Sequence, residues 1–173
     1  MELYWERGFE STTVAEIADR AGVTERTFFR HFADKREVLF GGTASHQELL
    51  VEHVVGAPDD AAPIDAVTAA LEAAGAAIQE RGEWAQRRHA VIAANAELRE
   101  RELVKMASFV SAMAEALRRR GVKEPAARLT AEAGIAAYKV AYERWVQQPT
   151  KRNLPRLVRE SLQQLKAVTA GNQ

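Results

Sequence analysis

An all-α chain is the fold class this sequence predicts, and three observations predict it. Alanine, the strongest helix former, is the commonest residue, with 33 copies. No stretch of strand length alternates apolar with polar residues. The five prolines, at 58, 63, 125, 149 and 155, all fall between segments of helical periodicity, where a missing backbone N–H does least harm.

The elements follow in chain order. "MELYWERGF" predicts a first helix of very few turns, stopped by Gly8. Thr13 opens the second, because Thr13 and Glu16 have the spacing of a reciprocal capping box. Val14, Ile17, Ala18 and Ala21 then recur at i, i+3, i+4 and i+7 and predict one buried stripe. Gly22 ends this helix, since glycine enters the left-handed region without strain. Thr24 caps a third helix, and Val23 before it is placed to staple onto Phe28. Asp34, with Glu37 three residues on, predicts a fourth helix running to about Val55. "GAPDDAAP", residues 56–63, reads as a linker. Beyond it, helices are predicted over 64–79, 84–94, 95–120 with Asn95 as cap and Gly121 as stop, 125–148 broken by Pro149, and 153–168.

At 173 residues the chain can hold one or two small domains. Cations and acids number 24 each, so only the local distribution of charge can point to a polyanionic partner. Without cysteine, disulfides and thiolate-bound zinc are excluded. There is no long apolar run and no signal-peptide pattern at the N-terminus, so no membrane partner is expected and a cytoplasmic location is the default. The histidines are 31, 46, 53 and 89; none is paired at i, i+4, so neither a metal site nor a cofactor is expected. No nucleophile elbow, phosphate loop or glycine fingerprint occurs, so an enzyme would rest on scattered groups such as His89 and Tyr138.

Residues 13–32 hold the parts of a helix-turn-helix: two short capped helices, small Ala18 at the crossing, Gly22 for the turn, and Val23 with Phe28 for a shared core. In the second helix Phe28 and Phe32 define the inward face. At 100° per residue, Arg26 and Arg30 lie opposite, with Thr27 beside them and Phe29 and His31 flanking. Arginine on that face can donate two hydrogen bonds to guanine, and Thr27 can touch a base edge or a thymine methyl. Thr24, His31 and Lys35 fall where phosphates would run. Residues 1–46 carry six Lys/Arg against eight Asp/Glu, yet 26–36 carry four cations against one acid. Affinity for DNA depends on that local patch.

The stretch "GFESTTVAEIADRAGVTERTFFRHFADKREVL", residues 8–39, resembles the DNA-binding domain of the TetR family of transcriptional regulators. The resemblance implies three N-terminal helices with a helix-turn-helix in a DNA-binding domain over residues 1–46, a connecting fourth helix, and a variable helical ligand-binding and dimerisation domain over residues 47–173. It implies base-proximal roles for Thr24, Arg26, Thr27 and Arg30, and backbone contacts from Phe29, His31 and Lys35. The family usually has tyrosine where Phe29 stands, so one hydroxyl contact is missing. Its first helix begins further upstream, which leads to the expectation that Met1 is a truncated or misassigned start. Residues 84–145 are similar to the C-terminal domain of actinobacterial members, including the mycofactocin-system regulators.

The implied function is a one-component regulator: a homodimer on a palindromic DNA operator, more a repressor than an activator, released by a small-molecule effector. A constitutive DNA binder without ligand and a helical protein-interaction module stay open as alternatives. The resemblance puts the dimer seam in the last two helices, where Leu154, Val158, Leu162 and Leu165 form one apolar stripe and Leu129, Ala133, Ala136 and Val140 another. Tyr138, Tyr142 and Trp145 at i, i+4, i+7 form an aromatic stripe, and Phe109 and Met113 a similar pair. These either pack as core or wall an apolar effector pocket, to which His89 would add a polar tip.

Overall fold

The chain is described by a computed structural model for residues 1–148 and 151–171, and among the described residues it holds ten helices and no strand. Pro149, the expected breaker, lies outside the described residues. Local signals set the first helices. α1 (Glu2–Arg7) stops at Gly8. α2 (Val14–Arg20) opens on a closed capping box: the Thr13 hydroxyl accepts the Glu16 amide, and the Glu16 carboxylate accepts the Thr13 N–H at 2.8 Å. α3 (Glu25–His31) opens on Thr24, whose hydroxyl accepts the Thr27 amide at 3.2 Å. Gly22 makes the turn between them at φ +67°. The α2 stripe is shallower than expected: Ala18 is buried, Val14 and Ile17 are half-buried, and Ala21 is exposed. A seven-residue helix at the edge of a small unit has too few neighbours to cover four positions.

The fourth predicted helix is two helices. α4 (Glu37–Phe40) is one turn, and α5 (Thr43–Val55) starts after a break at Gly41–Gly42. Gly42 has φ +91°, a conformation that L side chains rarely adopt, so the glycine pair makes a corner where periodicity alone suggests a continuous rod.

α6 (Pro63–Gln79), α7 (Gly82–Ala94), α8 (Ala96–Arg119), α9 (Ala126–Val146) and α10 (Leu154–Thr169) complete the chain. Asn95 precedes α8 but does not cap it; its amide donates back to the Val91 carbonyl at 2.7 Å. Asn153 does cap α10, accepting the Arg156 amide at 2.8 Å. α5, α6, α8, α9 and α10 pack around one apolar core that includes Leu50, Leu71, Met113, Leu117, Trp145 and Leu162. Buried alanines on α6 (66, 70, 74) and α9 (127, 131, 137, 141) let these helices approach closely. Burial of such side chains is the main stabilising term, at roughly 25 cal/mol for each Å² removed from water.

The packing takes one of the two expected seam stripes into the subunit's own core. Leu154, Val158 and Leu162 are buried within their own subunit, with α10 laid against α6 and α9. An amphipathic helix declares that one face is buried, but not which neighbour covers it. On α9, by contrast, Leu129 (65 % exposed) and Val140 (52 % exposed) face outward with Ala136, and Ala133 is half-buried between them.

Candidate DNA-binding face and effector cavity

On α3, Phe28 is buried against Phe32, with ring centres 5.3 Å apart. This anchoring turns the rest of the helix outward. Arg26, Arg30 and His31 are exposed, Phe29 is 53 % exposed, Thr24 is exposed and Thr27 half-buried. The Thr24 and Thr27 hydroxyls lie 3.1 Å apart. These groups form one surface of two arginines, two hydroxyls and an aromatic ring, with the N-terminal end of α3 beside it.

Lys35 is placed differently from the expected phosphate contact. Its ammonium donates to the carbonyls of Phe9 (2.9 Å), Glu10 (3.1 Å) and Thr12 (3.0 Å). An ammonium has three donors, so all are committed inside the protein. It also stands 4.5 Å from the centre of the Phe9 ring, and the Lys35 carbonyl accepts the Tyr4 hydroxyl at 2.5 Å. The side chain therefore clamps the loop after α1 to the loop after α3. Burial pushes the Tyr4 phenol pKa well above its ordinary value. Spacing along the chain does not show where a long side chain turns.

A cavity of about 190 Å³ lies in the body under this head. Of the expected pocket residues, His89, Phe109, Tyr138 and Tyr142 line it. Met113 does not; it is fully buried in the core on the inward side of α8. Leu50, Leu71, Ile78 and Ile135 add apolar wall. Tyr138 and Tyr142 are stacked 6.3 Å apart, and His89 meets the Tyr142 ring edge-on at 5.7 Å. The Tyr142 hydroxyl donates to the Ala85 carbonyl at 3.3 Å. Burial raises the Tyr142 phenol to about 12, with nearby Arg88 pulling the other way. Tyr138 is raised further, again chiefly by burial.

Residues 39–43 also line the cavity, so its roof is the corner between α4 and α5. Ion pairs fix that corner to the body. Arg36 joins Asp34 and Glu97, and Glu37 joins Arg101 and Lys105. Arg88 donates to the Leu39 carbonyl at 2.7 Å and pairs with Glu102 at 3.0 Å. His46, one turn beyond the corner, holds the Gly42 carbonyl with Nδ1 at 3.0 Å, while its buried Nε2 has no partner among the described residues. Sequence reasoning missed Arg88, Glu102 and His46. One signal was present for Arg88: it follows Ala85 and precedes Ile92 at i, i+3, i+7, a charge within an otherwise buried stripe.

A helix-turn-helix head with an arginine face, on a helical body enclosing an apolar cavity, defines the class of helix-turn-helix transcriptional regulators with a ligand-binding domain. Residues 1–40 match the bacterial regulatory proteins of the tetR family, and residues 61–170 match the MftR C-terminal domain. The chain belongs to the TetR family of transcriptional regulators. It is 37 % identical over 73 residues to the HTH-type transcriptional regulator TcmR of Streptomyces glaucescens. That match covers 42 % of this chain and only 32 % of the relative. The fold is similar to that of Thermus thermophilus FadR, a TetR-family repressor in complex with lauroyl-CoA, with a TM-score of 0.60 at 20 % identity over 94 % of this chain and 87 % of that one. It is also similar to the TetR-family regulator PfmR of Thermus thermophilus, with a TM-score of 0.51 at 19 % identity over 94 % and 91 % of the two chains. No helix among the described residues is long and apolar enough to cross a membrane.

Proposed function

We propose that this regulator is a repressor that binds a two-fold operator as a homodimer and leaves it when a small apolar molecule fills the cavity. The observation that carries the reading is the shared roof: residues 39–43 line the cavity and also end the DNA-binding head. A ligand that swells the cavity must push on the piece of backbone that sets the head's angle. Residues 1–46 are the DNA-binding domain, with Arg26 and Arg30 on base edges and Thr24, Thr27, Phe29 and His31 around them. Residues 47–173 bind the effector and dimerise.

The seam runs along the outward face of α9, Leu129 to Val140, the apolar stripe that its own subunit leaves open. Two half-sites on DNA need a two-fold protein, and an isologous contact along one helix supplies it. The lauroyl chain held by FadR supports an effector with a hydrocarbon part, which the apolar walls accept. At about 190 Å³ the cavity suits a compact ligand better than a long chain, since drug-sized molecules occupy about 300–1,000 Å³.

The test is a gel shift with DNA flanking the gene, alongside sedimentation of the protein alone. A shifted band containing two protomers, lost in Arg30→Ala, is the expected result. No shift even at low salt would replace this reading with that of a protein-interaction module.

A further inference from the structure

The polar groups of the cavity are unevenly used. Four cations (Arg81, Arg88, Lys105, Lys139) and two acids (Glu102, Glu143) line it. Arg88 is the most enclosed of the ion-paired cations there, with its side chain 16 % exposed. Its Nε is spent on the Leu39 carbonyl and its Nη1 on Glu102. A guanidinium carries five N–H donors, so several remain. Arg88, Tyr138 and Tyr142 line the same cavity. Tyr138, only 8 % exposed, lines the cavity and makes no hydrogen bond among the described residues. The cavity wall thus holds Arg88 N–H groups and the Tyr138 O–H as donors without an acceptor among the described residues.

We infer that Arg88 is the contact through which cavity occupancy reaches the head, and that it selects an effector carrying an anionic oxygen group on an apolar body. This rests on the reading of the chain as a ligand-released regulator. Leu39 is the penultimate residue of α4, and its carbonyl is an end group with no partner inside that one-turn helix. Leu39 is itself buried, so Arg88 supplies what water cannot. The same guanidinium stands 5.1 Å from the centre of the Phe40 ring. A carboxylate between Arg88 and Tyr138 takes the free N–H groups and draws the guanidinium towards itself, away from Leu39 and Glu102. Glu102 is the more exposed member of its pair and can turn to solvent. The Leu39 carbonyl has no such exit, so α4 must shift to satisfy it. Lys105 and Lys139 in the same wall favour the incoming negative charge. A neutral ligand of the same shape fills the cavity and leaves the Arg88–Leu39 bond in place.

The experiment has one arm without DNA and one with it. Calorimetric titration of the full chain with octanoate and with 1-octanol compares two ligands of one chain length and different charge. Octanoate should bind at least about tenfold more tightly, because hydrogen bonds to charged groups are worth that much or more. Arg88→Gln should remove the preference, and Tyr138→Phe should weaken octanoate several-fold while leaving octanol unchanged. Equal affinities for the two ligands in the unmodified protein would overturn the inference without reference to any variant. In the second arm, octanoate should weaken binding of the operator fragment in the unmodified protein and do little in Arg88→Gln. Preference for octanoate without any effect on bound DNA would also overturn the coupling. Preference for octanoate in a chain that binds no DNA would sink the regulator reading and leave Arg88 as the ligand contact alone.

Discussion

The head and the body of this molecule are stabilised in different ways. The body encloses its own core, in which Leu71, Met113, Leu117 and Trp145 are buried among side chains of α5, α6, α8, α9 and α10. The head has no such closure. Its apolar cluster joins Tyr4, Phe9, Leu39 and Phe40 to Ile92 and Leu98, and the last two belong to α7 and α8. What the head lacks in apolar area it replaces with polar ties: the Lys35 clamp, the Thr13 capping box, and Arg20 bridging to Glu2 and Glu6. Arg87 over the Trp5 ring, 4.4 Å from its centre, fastens α1 to α7 in addition. A head whose core is completed by the body cannot be indifferent to the body's arrangement. Its orientation is set by the helices that line the cavity.

The largest effect that could break this contrast compares two leucines on α8. Leu117→Ala opens a hole in the body core and Leu98→Ala opens one under the head. Each should cost about 2–5 kcal/mol, the range for fully buried leucines. Leu117→Ala should lower the whole unfolding transition. Leu98→Ala should loosen α1 to α4 first, seen as faster amide exchange there while the body amides keep their protection. Equal loss of protection in both regions would show that the two cores are one cooperative unit.

Next in size is the clamp. Lys35→Ala removes three charge-assisted bonds to backbone carbonyls, so about 1.5–3 kcal/mol of stability should go with it, measured by urea unfolding. The salt dependence of DNA binding should stay the same, because the ammonium is committed internally and neutralises no phosphate. A salt slope lower by about one unit would return Lys35 to the DNA face.

Much of the head was legible because its determinants are local. Thr13 with Glu16, Thr24, and Gly22 each act within four residues, and each sits where its spacing puts it. The corner at Gly41–Gly42 was not, since one broken turn does not disturb helical periodicity enough to show. α10 misled for another reason: its stripe of Leu154, Val158 and Leu162 reads alike whether a partner or α6 covers it. Aromatic spacing found Tyr138 and Tyr142 in the cavity wall but put Met113 there too, although it points into the core. Arg88 went unread because its partners, Leu39 and Glu102, are 49 and 14 residues away.

A comparison of function sharpens the same contrast. Arg30 is exposed and belongs to neither core, so Arg30→Ala should leave the unfolding midpoint nearly unchanged, within about 0.5 kcal/mol. Operator affinity should fall by about 1–3 kcal/mol with relaxed preference at one base position, as read by competition with altered operators. A loss that is uniform over all sequences would make Arg30 a backbone contact instead.

The smallest expected effect concerns Asp34 and pH. Its carboxylate takes a side-chain hydrogen bond from Arg36, the main cause holding its pKa below the ordinary 3.8, and its Oδ1 also accepts the Arg36 amide at 2.8 Å. A depressed folded-state pKa means that the unfolded chain binds the proton first as pH falls. The contribution is therefore fully present above about pH 4 and is lost as pH drops through the folded value. Asp34→Asn keeps an oxygen for the two backbone amides and removes only the charge. The pair is half-exposed, so screening limits the loss near neutral pH to about 0.2–1 kcal/mol. Because Arg36 also reaches Glu97 on α8, the loss should appear where head meets body, as faster exchange of the α4 amides. Unfolding midpoints measured from pH 7 down to pH 3 should converge for the variant and the unmodified chain. Curves that stay parallel throughout would mean that the carboxylate supports the head through its oxygens alone, and that its charge does nothing for the junction.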